Sequence, residues 1–459
     1  MSHDLTKKSA TELVALMRTH KASPVEVVEA HLRRIDEANP SLNAIVTIAD
    51  NAIDRAREAE DALMKSQGVG ALHGLPITIK DSIDTKGLRT TYGSRLRAEH
   101  LPDRDATVVA RLKAAGAIIL GKTNTPEMAI PYETDNPVFG RTNNPYDLNR
   151  TSGGSGGGEA VAIAAHLSPA GIGSDLSGSI RVPAHLCGIA GLKPTTGRVP
   201  MDGHMPEAVG ALSLGACIGP MGRRIADLEL LFEVIARSRA EPGDPDQLRS
   251  LRVAFYVDDG VAPVTSETAQ AVHWAADVLR DSGFEVREEQ PPGISEGSRL
   301  WIELFAEAAQ QQLREFYRGR EDEAGPIVLP MLQEENGSAN FEGKVNTAER
   351  RARAVIERER LREELLRWMK QTALILAPVG AIAAFEHGAK RVDINGKSIS
   401  VFRAFSYSQT FNVFGLPAVA VPIARTKQGL PIGVQLVGQP NSDHLLLAAA
   451  EILERACES

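Results

Sequence analysis

Three short segments hold the residue types that acyl-transfer chemistry needs. The first is "GLPITIKDSID" (74–84), where Lys80 ends an apolar run. An amine at that point is partly stripped of water, which lowers its pKa and equips it as a base. An ion pair with Asp81 or Asp84 is the competing reading. The second is "RTSGGSGGGEAVAIAAH" (150–166), a glycine loop around Ser155 that runs into an apolar helix. Glycines let main-chain N–H groups approach a reacting atom, and a helix N-terminus adds positive potential. The third is "GIGSDLSGSIRVPAH" (171–185), which places Ser174, Ser177 and Ser179 after a predicted strand. It offers the adjacent backbone donors that an oxyanion hole requires.

The glycine loop has other readings. A Gly/Ser linker is polar on both sides, whereas this loop enters "EAVAIAAHL". A phosphate loop would end in Lys-Ser or Lys-Thr, or read G-x-G-x-x-G after a strand; here it ends Gly158-Glu159. Gly153 to Gly157 match G-x-S-x-G, but the segment before them, "NNPYDLNRTS", is turn-rich rather than a strand. Taken alone, the loop is equally well a structural glycine turn.

The elements that must position these segments alternate. Strands are expected at 42–48, 74–80, 117–122, 170–175, 251–257, 373–379, 418–424 and 431–438. Helices are expected at 50–66, 105–116, 159–167, 266–283 and 443–456, with amphipathic stretches near 296–318 and 346–370. Ser23, Pro24 and Glu26 form a capping box ahead of "VEVVEAHLRRI". This order predicts an α/β fold, a large twisted mixed sheet sandwiched between helical layers, with a helical cap. The chain reads as one domain over 1–459, with a catalytic core at 70–200 and a variable, mostly helical, substrate-shaping region at 285–400.

A net charge of −8 gives no support to nucleic-acid binding, and "ERRARAVIERERLREELLR" is a salt-bridged helix face. Cys187, Cys217 and Cys457 lack the paired spacing of a disulfide framework or zinc site. "MSHDLTKKSATEL" lacks an apolar signal-peptide region, and no run approaches the roughly 18 apolar residues of a membrane span. The expectation is a cytoplasmic protein with no membrane and no nucleic-acid partner; a homodimer is compatible with it.

Together, and in this order, the three segments resemble the amidase signature family. Lys80 fits the lysine of "G-[IL]-P-x-x-x-K-D", Ser155 the first serine of "G-G-S-S-G-G", and Ser179 the serine of "D-x-G-G-S-I-R". The likeness continues through 182–200, 219–231 and 411–438 and weakens between about 240 and 400. The resemblance implies a Ser–cis-Ser–Lys triad that hydrolyses an amide or related acyl C–N bond, Ser179 attacking, Ser155 relaying the proton and Lys80 acting as base. It places the oxyanion against main-chain N–H groups of Leu176, Ser177, Gly178 and Ser179, and it implies no metal or other cofactor.

The chain departs from the pattern at Gly156, where a second serine is usual, and at Ser177, where a glycine is usual. Serine has the narrower φ range, so Ser177 bears most directly on the oxyanion geometry. His185 is expected to pack near the site, Asp175 and Arg181 to form a structural ion pair, and Cys187 to be a buried thiol. Substrate contacts are expected from Tyr132, Gly153, Gly154, Trp301 and Phe305, with ordinary core packing the equal alternative for Tyr132, Trp301 and Phe305. "MAIPYETDNPVFG" (128–140) differs from the "M-G-S-S-T-E-N" of the A chains of tRNA-dependent amidotransferases, which favours a free-standing hydrolase of a small amide or carbamate, urethanes and anilides included. The alternatives are an amidotransferase component that works with partner proteins and an inactive homologue used as a binding or scaffold protein.

Overall fold

Strand-forming segments recur along the chain as β1 (Ile45–Ile48), β2 (Pro76–Lys80), β3 (Ile118–Thr123), β4 (Ala170–Asp175), β5 (Ala190–Lys193), β6 (Cys217–Gly222), β7 (Arg252–Phe255), β8 (Glu285–Glu288), β9 (Leu374–Pro378), β10 (Arg391–Ile394), β11 (Lys397–Ser400), β12 (Ala418–Arg425) and β13 (Pro431–Gly438). They are seen in a computed structural model that describes residues 4–65, 69–238, 248, 250–333 and 347–458. Among the described residues eleven strands form one mixed sheet in the order β1-β3-β2-β4-β6-β5-β12-β13-β9-β7-β8, and β10 and β11 form a separate hairpin. The expected α/β sandwich is therefore the observed architecture.

Side-chain alternation decides the layers. Ile118 and Leu120 of β3 join one apolar cluster, and Ile119 between them joins the other. The same split separates Ile375 and Ala377 from Leu374 and Leu376 in β9, and Ala418 and Ala420 from Val419 and Val421 in β12. Period-two alternation with both sets buried requires cover on both faces. Helices Ala10–Arg18, Thr107–Ala114, Ile225–Ala236, Ser266–Asp281 and Asp443–Ala456 pack on one face. Gly157–Ala164, Arg181–Cys187, Thr347–Met369 and Ser406–Val413 pack on the other.

Most expected elements lie within a few residues of their predicted bounds, and the Ser23 capping box forms, with Pro24 opening the helix. The region 285–400 departs from expectation. Gly297–Phe316 and Thr347–Met369 are helical and β9 is the strand expected at 373–379, but the region also contributes β8 and the β10–β11 hairpin. The hairpin turns at Asn395 and Gly396, both with positive φ, the Asn-Gly turn whose twist suits paired strands. Residue 66, residues 334–345 and the expected helix start at 346 lie outside the described residues. β5 and β6 lie mid-sheet although neither is rich in β-branched residues; in "CIGPMG" Pro220 opposes Ile172 of β4. No described helix is long and apolar enough to cross a membrane.

A buried ion pair ties the sheet to its site-bearing helices. Arg181 meets Asp175 at the end of β4 through Nε (3.1 Å) and Nη2 (3.0 Å). It also donates to Gln435 on β13 (2.8 Å), the Ser408 carbonyl (2.9 Å) and Asn412 Oδ1 (2.7 Å). Arg181→Met would leave the Asp175 carboxylate buried without its partner. The expected loss is about 3–5 kcal/mol of unfolding free energy, read from the urea midpoint. A loss below about 1 kcal/mol would mean that the pair does not hold the sheet and helices together.

Candidate active site

β2 runs parallel to both β3 and β4, so the three strands end together. Lys80 closes β2, Thr123 closes β3, and Ser174 and Asp175 close β4. The carboxyl ends of parallel strands are where main chain and helix termini leave room for a ligand. Lys80 is fully buried, and its Nζ lies 2.6 Å from Ser155 Oγ and 3.1 Å from Ser174 Oγ. The alternative ion pairs do not form. Asp81 accepts from the Thr91 hydroxyl and main-chain N–H, and Asp84 accepts from Tyr92. Burial drives the Lys80 pKa down, against the opposing charges of Asp175 and Glu159, to about 7. Glu159 is itself buried, and burial pushes its carboxyl up to about 7 against hydrogen bonds from Thr78 and Thr123.

Ser155 follows a cis Gly154–Ser155 peptide and immediately precedes the glycines that open helix Gly157–Ala164. As the sequence suggests, no strand leads into this turn. Ser179 joins it through the main chain, because Gly156 N–H donates to the Ser179 carbonyl at 3.0 Å. A Cβ at Gly156 would lie 2.7 Å from that carbonyl oxygen, so the departure at 156 suits this local packing. Lys80 and Ser155 are 0% and 1% exposed and Ser179 is 8% exposed. Of the three, Ser179 is the most exposed.

Asp175 shapes the turn that carries Ser179. Its carboxylate accepts from Gly178 N–H (2.8 Å), Ile180 N–H (3.1 Å) and Asn412 Nδ2 (3.0 Å) besides Arg181. Burial alone would raise this carboxyl; the Arg181 charge and hydrogen bonds reverse that and hold it well below the usual carboxylate range. The Gly178 N–H is thereby committed to Asp175, which removes it from the expected row of donors. Leu176, Ser177 and Ser179 remain as candidates. Gly178 has φ +99°, and a Cβ there would lie 2.6 Å from Ser408 Cβ, so glycine is required. Ser177 has no positive φ, so the residue type found at 177 fits its backbone.

The expected substrate contacts divide. The Tyr132 hydroxyl bonds the Ser177 carbonyl (2.6 Å) and hydroxyl, and Trp301 Nε1 donates to the Leu176 carbonyl at 2.7 Å. Both side chains thus fix the peptides beside Ser179. Phe402 joins them, its ring 6.2 Å from Tyr132 and 5.2 Å from Trp301. Phe305 takes the core alternative, which corrects its place among the substrate contacts: it is fully buried behind Trp301 and packs toward Gly215. Gly153 is a second one. Its N–H goes to Thr151 and its carbonyl to Thr134, so its main chain is structural, and Gly154 is packed against Pro131 and Glu133. His185 is held between the Gly433 N–H and the Ile382 carbonyl, and Cys187 is buried with its thiol pKa raised.

Sequence reasoning assigns no role to Ser174, Glu159 or His204. Ser174 shares Lys80 with Ser155, and His204 Nε2 lies 2.8 Å from Ser174 Oγ. Thr78 and Lys80 alternate with Ile77 and Ile79, a period-two signal that puts a polar face beside Glu159. Nothing in the sequence near His204 signals its position.

The profile of the family described as Amidase matches residues 26–447. The A component of a glutamyl-tRNA(Gln) amidotransferase from Roseiflexus sp. is 35% identical, over 99% of this chain and 97% of its own length. An indoleacetamide hydrolase of Bradyrhizobium diazoefficiens is 33% identical, over 98% of this chain and 86% of its own. The crystal structure of a bacterial aryl acylamidase superposes with a TM-score of 0.84 at 27% identity, covering 98% of this chain and 96% of the other. The fold, the match over most of its length and these relatives establish that the chain belongs to the amidase signature family.

Proposed function

We propose that the protein hydrolyses a carboxylic amide or a related acyl C–N bond through an acyl-enzyme on Ser179. The observation that carries this reading is the contact of 2.6 Å between Ser155 Oγ and a fully buried Lys80 amine whose pKa burial lowers to about 7. The uncharged amine accepts the Ser155 proton as Ser155 accepts that of Ser179, and Ser179 Oγ bonds to the carbonyl carbon. Main-chain N–H groups of Leu176, Ser177 and Ser179 face the oxygen that gains charge, at about 3–4 kcal/mol per donor in comparable sites. Ser155 returns the proton to the leaving nitrogen as the C–N bond breaks. Water then adds to the acyl-enzyme and releases the acid.

The aromatic wall of Tyr132, Trp301 and Phe402 favours an uncharged, apolar or aryl group beside Ser179. The names of the indoleacetamide hydrolase and the aryl acylamidase agree with that. A urethane fits the same chemistry, since its carbonyl also carries a nitrogen leaving group. The second reading, an amidotransferase component that works with partners, is favoured by the 35% identity to the Roseiflexus protein. The departure at 128–140 weighs against it. A panel of anilides, alkyl amides, carbamates and glutamine, given to the purified chain alone, separates the two. Turnover of anilides without a partner supports the hydrolase, and glutaminase activity confined to a complex supports the amidotransferase.

Turnover should vanish in Ser179→Ala and fall about a hundred- to ten-thousandfold in Lys80→Met, measured as kcat on a chromogenic anilide. The pH dependence follows from Lys80. Below about pH 7 the amine is protonated and cannot accept, so kcat/KM should fall about tenfold per pH unit and level off on the alkaline side. Full activity at pH 5 would remove Lys80 from the role of base.

A further inference from the structure

Lys80 has a second neighbour that the proposed reaction leaves unused. Its Nζ lies 3.1 Å from Ser174 Oγ, which lies 2.8 Å from Nε2 of His204. The other ring nitrogen, Nδ1, lies 2.8 Å from the carbonyl oxygen of Pro206. The loop carrying His204 is clamped to the segment that follows Lys80. Ile83 and His204 form a β-bridge, Asp84 N–H donates to the Gly203 carbonyl at 2.8 Å, and Met205 N–H donates to the Ser82 carbonyl at 3.0 Å.

The direction of every bond in this chain follows from its far end. A carbonyl oxygen only accepts, so Nδ1 of His204 must carry a proton. The ring is neutral, because burial lowers its pKa and the Lys80 charge lowers it further, to about 4. A neutral ring protonated on Nδ1 presents Nε2 as an acceptor, and the Ser174 hydroxyl donates to it. Ser82 Oγ is 3.4 Å from the same nitrogen, too long to compete well. Ser174 Oγ then has only lone pairs to offer Lys80, which must donate an N–H. With that N–H committed, the lone pair of the uncharged amine is free to face Ser155.

We propose that His204 is a positioning residue: through Ser174 it fixes which way Lys80 donates and so aims the amine lone pair at the Ser155 hydroxyl. This rests on the Lys80–Ser155–Ser179 reading above. The acids whose charges act on Lys80 are Asp175 and Glu159, and neither contacts His204. Without the imidazole acceptor, the Ser174 hydroxyl is free to turn and donate to the Lys80 lone pair. That competes with Ser155 and stabilises the uncharged amine. The loss of His204 therefore lowers the rate and moves the acid limb to lower pH, a combination that a loosened fold does not produce.

The test is the rate at which a fluorophosphonate labels Ser179 across acid to alkaline pH, followed by mass spectrometry on the full chain. It compares wild type, His204→Phe, His204→Gln, Ser174→Ala and the Ser174→Ala/His204→Phe pair. His204→Phe should label about ten- to a hundredfold more slowly at its plateau, with the acid limb displaced downward. His204→Gln, which keeps an acceptor and a donor, should recover most of the rate. The double variant should be no slower than Ser174→Ala, because both changes act through one hydroxyl. Equal rates and acid limbs in His204→Phe and wild type, or losses that multiply in the double variant, would overturn the proposal. If His204→Phe does not fold, His204→Ala, alone and with Ser174→Ala, takes its place in the same cycle. Wild type that fails to label at Ser179 would refute the underlying reading instead.

Discussion

An amine held away from water at the end of β2 sets the terms for the rest of this structure. An ammonium at Lys80 loses its hydration, and that loss outweighs the attraction of Asp175 and Glu159. The position exists only because both faces of the sheet are covered, which leaves β2 buried along its whole length. A half-exposed strand would leave the amine solvated and charged near its ordinary value. The double-layered fold therefore does chemical work as well as structural work: it sets the protonation state on which the proposed proton relay depends.

A second constraint sits one strand away. Asp175 gathers Gly178, Ile180, Arg181 and Asn412 around one carboxylate and so gives the turn at 176–180 a fixed shape. That rigidity uses up the Gly178 N–H, leaving fewer donors for a developing oxyanion. Trp301 and Tyr132 act on the same turn through the carbonyls of Leu176 and Ser177. A buried ion pair and two aromatic hydrogen-bond donors hold the same turn. The peptides that would face substrate are thus set before any substrate arrives, the condition under which main-chain dipoles are most effective.

The network around Lys80 extends this principle to hydrogen-bond direction. Two hydroxyls lie within reach of one amine. Distance alone does not say which of them gives up a proton. The fixed polarity of a carbonyl, passed on through an imidazole and a hydroxyl, supplies that information. Control of direction needs groups from β2, β4 and the loop at 203–206 at once.

The sequence alone determined the alternation of strands and helices, the layered α/β class, the three segments around Lys80, Ser155 and Ser179, and the Asp175–Arg181 pair. These are local: they rest on apolar periodicity, capping residues and short motifs that neighbouring positions spell out. Only the tertiary structure decided that Asp81 and Asp84 bond to Thr91 and Tyr92 rather than to Lys80, that Asp175 takes the Gly178 N–H, and that Phe305 lies behind Trp301 rather than at the surface. It alone brought His204 to Ser174, 30 positions apart in the chain. β5 and β6 escape a reading of local pattern because their residues favour strand only once paired neighbours are present; the β10–β11 hairpin carries a local signal, Asn395-Gly396, that the expected strands leave out. Burial, hydrogen-bond direction and strand pairing depend on which distant segments meet, and a local pattern does not encode that meeting.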